Sequence, residues 1–442
     1  MEHIVIIGNG IAGITAARHI RKKSDKKITV ISAENKYFFS RTALMYVYMG
    51  HMKFEHLQPY ENWFWEKNRI DLKQDFVTDI LTETNELKLK SGERVKYDKL
   101  VLATGSKPNK FGWKGQDLKG VQGLYSKQDL ENLEALTKKG IKDAVIVGGG
   151  LIGIELAEML RYRDINVSFL VREHHFWGNV LDVRESEMIM RHMKEHHINL
   201  RTKTELKEVV PDKEGYAKSI VTTEGEEIPC QLVGLTAGVS PNIDFVKKST
   251  IKTNRGIVVD AYLRTNIDDV YAIGDCAEFV SPPGKNRRNI EQVWYTGKEM
   301  GKVLAKTICG TPTKYSPGHW FNSAKFLDIE YQTYGWIFPQ PKENEQHFYW
   351  EHSSGKKSVR INYDKTTREF IGINTFGIRM RHQAFEKWLN EKRSVEYVLE
   401  HLADANFDPE FYRKHEKEIV TKFNSENNTQ LKVQRFNWKN IF

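Results

Sequence analysis

Apolar residues run unbroken from Ile4 to Ile7, stop at a glycine-rich stretch, Gly8–Gly13, and resume with helical spacing over residues 14–22. A short apolar run closed by glycine predicts a strand buried on both faces, and Ile28–Ser32 reads as the next parallel strand. Short alternating segments broken by Thr-Asn and Ser-Gly turns then predict a meander, ending in a buried strand at Lys99–Ala103. The pattern restarts at Ala144–Val147, followed by a turn at Gly148–Gly153, a helix over residues 154–163 and a strand at Val167–Val171. A second meander runs to Gly238, and "VYAIGDCAEF" ends another buried strand at Gly274-Asp275. From about Thr313 the texture changes to aromatic-rich alternation up to about Thr375, then to charged helix-like sequence, which predicts a separate domain over 313–442.

Two stretches, "IVIIGNGIAGITA" and "VIVGGGLIGIE", thus place a G-x-G-x-x-G spacing after a strand and at the start of a helix. Gly8 and Gly148 permit the tight turn, and Gly10 and Gly150 remove the Cβ that would block a pyrophosphate. Gly13 and Gly153 let the helix pack close to its sheet. Free amides at the helix N-terminus then face the phosphates. One such turn holds one dinucleotide, so two turns imply two.

Bulk properties narrow the class. The chain of 442 residues is long enough for two or three cores. Mean hydropathy is −0.56 and no apolar run reaches the roughly twenty residues a bilayer span needs. With a strand-like N-terminus in place of a leader, the expected location is the cytoplasm. Three cysteines, Cys230, Cys276 and Cys309, lie far apart and are expected as ordinary buried or half-buried thiols rather than a disulfide, thiolate-metal or dithiol centre. The net charge of +9 favours anionic partners, while the basic run Arg21–Lys27 reads as a solvated helix end. His192 and His196, four residues apart, have the spacing of a metal pair. They lack a glutamate directly after the first histidine and an apparent third ligand, so a solvated helix face and no metal are expected.

Several motifs occur in order: "GNGIAG", "LATGSKP" (Leu102–Pro108), "GGGLIGIE", "TAGVSPN" (Thr236–Asn242) and "YAIGDCAE" (Tyr271–Glu278). Together they resemble the FAD-dependent pyridine nucleotide-disulfide oxidoreductase superfamily, over about residues 1–312. The nearer resemblance is to NAD(P)H-dependent ferredoxin and rubredoxin reductases, with the flavin part of nitrite reductases nearby. The resemblance implies an α/β fold with two Rossmann-like domains, for FAD and NAD(P), of three-layer ββα organisation, plus an α+β C-terminal domain. The implied boundaries are 1–112 with 245–312 for FAD, 113–244 for NAD(P)H and 313–442 for the C-terminal interface domain.

By the same resemblance the first glycine turn holds FAD, and Asp275, behind Gly274, offers its carboxylate to the flavin's ribityl or phosphate region. A helix N-cap is the plain alternative for Asp275. Thr104 and Gly105 lie near FAD, Arg41 runs along the cofactor, and Glu34 takes the ribose role that Ser32 cannot. Gly238 belongs to the "TAGVSPN" cofactor motif. The second turn takes the nicotinamide dinucleotide. Val171 stands where an NADH enzyme carries Glu, and Arg172 follows it, which favours NADPH while leaving NADH open. The second arginine of that pattern is replaced near Gly178, and Glu173 is a counterweight.

Disulfide reductases of this superfamily carry a cysteine pair beside the flavin, and peroxidase and oxidase members keep one cysteine near the place of Arg41. This chain has neither. The resemblance therefore implies direct delivery from the flavin to an external acceptor, an exchange that flavin chemistry supports. Glu155 is expected at the meeting point of nicotinamide and flavin, with a plain helix carboxylate as an equal alternative. Trp294 falls where relatives flank the flavin ring, to screen it or to carry electrons outward; a packed core Trp is the alternative. Tyr46 stands where many ferredoxin reductases have lysine.

The leading expectation is an NAD(P)H-dependent FAD reductase feeding an acidic carrier such as ferredoxin or rubredoxin. Direct reduction of oxygen or a small molecule is the second. A redox-gated binding protein resembling apoptosis-inducing factor ranks last, since no basic–aromatic nucleic-acid motif is apparent and no nucleic acid is expected. A homodimer stays open. The C-terminal tail is expected as a plain packed helix, with a flavin cover, dimer contact or membrane-surface contact as alternatives.

Overall fold

A computed structural model describes residues 1–407 and 413–436. The first sheet is wholly parallel, in the order Val270–Ala272, Lys99–Leu102, His3–Ile7, Lys27–Ser32, Ile70–Gln74. Its central strands are buried on both faces, which is why their sequence is continuously apolar rather than alternating. The second sheet repeats the plan: Ile198–Thr202, Asn166–Val171, Asp143–Val147, Leu232–Leu235, Val121–Gln122, again all parallel. In each, the chain leaves the middle strand in one direction and later returns on its other side. That reversal opens a crevice at the carboxyl ends of the strands. Antiparallel meanders, Val77–Leu81 to Arg94–Lys96 and Leu206–Pro211 to Glu227–Pro229, fill in as expected.

The helices behind both glycine turns begin earlier than the sequence pattern predicts, at Ile11 and Leu151 rather than at residues 14 and 154. The third glycine of each turn is therefore inside the first helical turn, where glycine is a poor helix former and hides the periodicity. Close packing requires it: a Cβ on Gly13 would lie 2.1 Å from the Gly8 carbonyl oxygen.

Two short antiparallel strands, Ser106–Pro108 and Val239–Pro241, pair where the chain crosses between the two parallel units. After the helix Trp294–Ile308 comes a five-stranded antiparallel sheet, in the order Phe321–Phe326, Ile329–Gly335, Phe370–Phe376, Ser358–Asp364, Glu345–Glu351. Helices His382–Asn390, Val395–Glu400 and Glu416–Asn427 contribute to one core with it. The last of these is the packed helix expected of the tail; tail residues 408–412 and 437–442 lie outside the described residues. Phe326 and Tyr331 of the sheet meet Phe176 and Trp177 of the second nucleotide-type unit.

One buried ion pair fixes that junction. Arg360 and Glu185, both fully buried, sit 3.1 Å apart (Nε to Oε2), and the Asn374 amide donates to Glu185 Oε1 at 3.1 Å. Leaving one buried charge without its partner costs about 3–5 kcal/mol, whereas removing both is close to neutral. Arg360→Leu is therefore expected to lower the urea midpoint sharply, and adding Glu185→Leu to restore most of the loss. A double variant no better than the single would contradict this account.

Candidate active site

A cavity of about 1220 Å³ opens at the carboxyl edge of the first sheet. Its wall includes Gly8, Gly10, Glu34, Arg41, Thr104, Gly105, Gly274, Asp275 and Trp294, nine of the residues singled out from sequence, together with Phe76, Tyr125 and Gln292. Gly10 caps the helix Ile11–Arg21 in extended conformation with no side-chain hydrogen bond. A Cβ at Gly10 would meet nothing within 4 Å, whereas one at Gly8, where φ is +109°, would lie 2.1 Å from the Ala103 carbonyl oxygen. Gly8 is thus glycine for the fold and Gly10 for what approaches from the cavity. The unpaired amides of the helix end supply donors for an anionic group there.

Glu34 and Arg41 meet each other. Their contact is bidentate, at 3.0 Å (Nη1 to Oε1) and 2.6 Å (Nη2 to Oε2), and the Lys127 amide donates to Glu34 Oε1 at 2.8 Å. The Arg41 guanidinium also covers the Tyr125 ring, 4.5 Å from its centroid, and donates to the Tyr125 carbonyl. The Asn9 side chain donates to the Asn35 carbonyl at 2.7 Å and so ties the Glu34 loop to the glycine turn.

Asp275 is not a helix N-cap: it lies inside the short 3-10 turn Gly274–Cys276, whose N-cap is Ile273. Burial pushes its carboxyl up, opposed by the Ser106 hydroxyl and by Arg41. Ser106 Oγ donates to Asp275 Oδ2 at 3.0 Å and accepts from the Gln292 amide at 2.8 Å. This relay went unread in the sequence, although Ser106 stands inside "LATGSKP" and Gln292 two residues before Trp294. Thr104 Oγ1 donates to the Asn242 carbonyl at 2.7 Å, so its hydroxyl holds the crossover rather than pointing freely into the cavity. Trp294 is half-buried on the cavity wall rather than a core residue, 5.3 Å from the Tyr295 ring.

The second glycine turn lies outside this cavity. Gly150 repeats the geometry of Gly10, an extended N-cap with no side-chain bond and nothing within 4 Å of its Cβ position. Gly148 and Gly153 pack against Thr236. Arg172, 72% exposed just beyond the strand Asn166–Val171, pairs through Nε with Glu173 Oε1 at 2.9 Å. Gly238 sits at the start of the crossover ribbon, facing the Asn109 side chain, and does not line the cavity. Tyr46 stacks on His51 and is likewise absent from the cavity wall.

The three cysteines are free and buried or half-buried, and none lines the cavity. Arg21 departs from the solvated helix end expected for it: its guanidinium bonds four backbone carbonyls, those of Asn68, Ser24, Lys26 and Arg69. The solvated face expected for "RHMKEHH" also needs correction. His192 is only 1% exposed, because the hairpin turn of the C-terminal sheet covers it and brings Asp328 to both His192 and His196. A contact 136 residues distant leaves no local signal in the sequence.

Glu155 is half-buried on the helix Leu151–Tyr162 and does not line the large cavity. Burial, aided by the neighbouring Glu158, pushes its carboxyl from 4.5 up to about 7. The folded chain thus keeps this proton up to about pH 7, while the unfolded chain releases it near 4.5. Folding grows less favourable as pH rises between those values. The gain in melting temperature of Glu155→Gln over the unaltered chain is expected to widen across that interval and level off above it. A pH-independent difference in thermal melts would contradict the assignment.

The family model described as "Pyridine nucleotide-disulphide oxidoreductase" matches residues 2–301. A rubredoxin-NAD(+) reductase of Acinetobacter baylyi is 31% identical over 323 residues, covering 71% of this chain and 80% of that protein. A nitrite reductase [NAD(P)H] of Bacillus subtilis is 29% identical over 317 residues, or 71% of this chain, but the matched part spans only 38% of its length. Among solved structures, a ferredoxin reductase of Rhodopseudomonas palustris superposes with TM-score 0.77 at 23% identity, covering 85% of this chain and 91% of that one.

Proposed function

Since this chain belongs to the pyridine nucleotide-disulphide oxidoreductase family, we propose that it is a flavoprotein reductase that moves electrons from NAD(P)H to a separate carrier protein. The family implies FAD and NAD(P)H binding, and both glycine turns fit a dinucleotide. Each presents an uncapped helix end beside a glycine whose Cβ position is open. In this reading Gly8, Gly10 and Gly13 with their helix end take the FAD pyrophosphate, and Gly148, Gly150 and Gly153 take that of the nicotinamide dinucleotide. Glu34 serves the adenosine ribose, steadied by Arg41, which adds positive charge along the phosphates. Asp275, held by Ser106 and Gln292, accepts hydrogen bonds from the flavin's ribityl side, with Thr104, Gly105 and Gly274 shaping the turn around it. Gly238 shapes the crossover between the two sites. When bound, the flavin supplies the exchange between a two-electron donor and a one-electron carrier.

The observation that carries the direct-transfer reading is the absence of cysteine from the cavity wall. Without a thiol beside the cofactor, electrons leave for an acceptor outside the chain. The domain division follows: residues 1–112 with 245–312 hold FAD, 113–244 hold NAD(P)H, and 313–442 form the α+β interface domain. Glu155 sets the charge near the nicotinamide, and Trp294 screens or relays at the flavin edge. Arg172 favours the 2′-phosphate of NADPH over NADH, since a guanidinium exchanged from Glu173 onto a phosphate can bind it bidentately.

An acidic carrier of the ferredoxin or rubredoxin kind fits the net charge of +9, because opposite charges steer encounter. The relative named for rubredoxin supports this choice. Reduction of cytochrome c by NADPH is expected to require added ferredoxin or rubredoxin, and to slow steeply as salt is raised from 50 to 500 mM (~14 to ~4 Å screening length). Carrier-independent, salt-insensitive turnover would reject this reading in favour of direct reduction of a small molecule.

A further inference from the structure

The helix Val183–Glu195 ends against the hairpin turn of the C-terminal sheet, and the contact is made by side chains of metal-ligating type. His192 and His196, one helical turn apart, have ring centroids 4.5 Å apart at 74°. Both Nε2 atoms converge on one oxygen of Asp328: His192 is in direct contact, and His196 stands at 3.3 Å. One ligand atom from each of the three lies within 4.8 Å of the others. Ligand atoms of a tetrahedral zinc site, at bond lengths of about 2.0–2.1 Å, stand roughly 3.3 Å from one another. The His196–Asp328 pair stands at that spacing.

Hydrogen-bond arithmetic at His192 goes further. The Nδ1 atom faces the Glu195 carboxylate, Oε2 at 3.3 Å, a contact in which only an N–H can be favourable. A neutral ring with its proton on Nδ1 directs the Nε2 lone pair at the Asp328 carboxylate, which also carries only lone pairs. A metal ion between the two would relieve that opposition and use both lone pairs. A carboxylate on the outer nitrogen of a ligating histidine is the usual support of a metal site. Lys356 lies on the outer side of the cluster, 3.3 Å from Glu195 and 4.0 Å from Asp328 Oδ2. It offsets the charge of the two carboxylates without occupying the inner oxygen, Oδ1. His196 and Asp328 are 39% and 60% exposed, which leaves room for water as a fourth ligand.

We propose that His192, His196 and Asp328 form a three-ligand site for a divalent transition-metal ion of the zinc class, clipping the helix Val183–Glu195 to the C-terminal sheet. The two imidazole donors favour zinc, nickel or copper over magnesium or calcium. The site is separate from the large cavity, so its occupancy does not depend on the proposed reductase activity.

Calorimetric titration of tag-free, chelator-treated, flavin-replete protein with zinc chloride at pH 7.5 tests the proposal. One saturable equivalent is expected, with a rise in melting temperature and no response to magnesium. Asp328→Asn, at an exposed position, and His196→Ala, at a half-buried one, should abolish that equivalent while circular dichroism stays unchanged. Glu195→Gln should weaken it about 10–100-fold. Absence of a saturable equivalent, or undiminished binding by Asp328→Asn, would overturn the proposal and leave the cluster as plain polar contacts between helix and sheet.

Discussion

Two helix ends without side-chain caps govern this molecule. At Gly10 and Gly150 the first amides of a helix point out of a parallel sheet, and no serine, threonine or aspartate satisfies them. Such an end is unfavourable unless water or a ligand bonds it. The glycines on either side serve different needs: Gly8 and Gly13 let backbone touch backbone, whereas Gly10 leaves space on the cavity side. That the chain places this arrangement twice, each time where strand order reverses, supports the proposal that it holds two anionic dinucleotides.

Other parts of the structure hold these ends in place. Asn9 ties the glycine turn to the loop that carries Glu34, and Glu34 in turn orients Arg41 and receives the amide of Lys127. Ser106 and Gln292 fix Asp275 from the opposite wall. Farther away, the buried Arg360–Glu185 pair and the His192–Asp328 contact fasten the C-terminal sheet to the helix Val183–Glu195. These polar contacts add to an apolar core that the second parallel unit shares with the first unit and with that sheet.

Much of this was legible in sequence because parallel sheets leave an unmixed signal. Strands buried on both faces read as continuous apolar runs, and glycine marks the turns between them. The middle strands His3–Ile7 and Asp143–Val147 follow that signal closely, and the antiparallel C-terminal segments up to Phe376 follow the aromatic-rich alternation instead. Helix starts were misplaced by three residues because Gly13 and Gly153 interrupt the apolar period inside the first turn. Contacts between distant segments left no trace: the Ser106–Asp275–Gln292 relay joins three parts of the chain, and Asp328 reaches His192 across the domain junction. Arg41 and Glu34 were both legible as cavity residues, but their mutual pairing was not, since charge complementarity over seven residues of loop fixes no geometry.

The most direct measurement is the flavin content of the purified chain beside that of Gly10→Val, with circular dichroism to verify folding. Unaltered protein should carry about one flavin per chain after reconstitution, and Gly10→Val should fold equally well yet lose it, because the added side chain occupies only cavity space. Colourless unaltered protein that cannot be reconstituted, or a Gly10→Val variant that retains flavin as tightly, would contradict the claim that this helix end binds the cofactor.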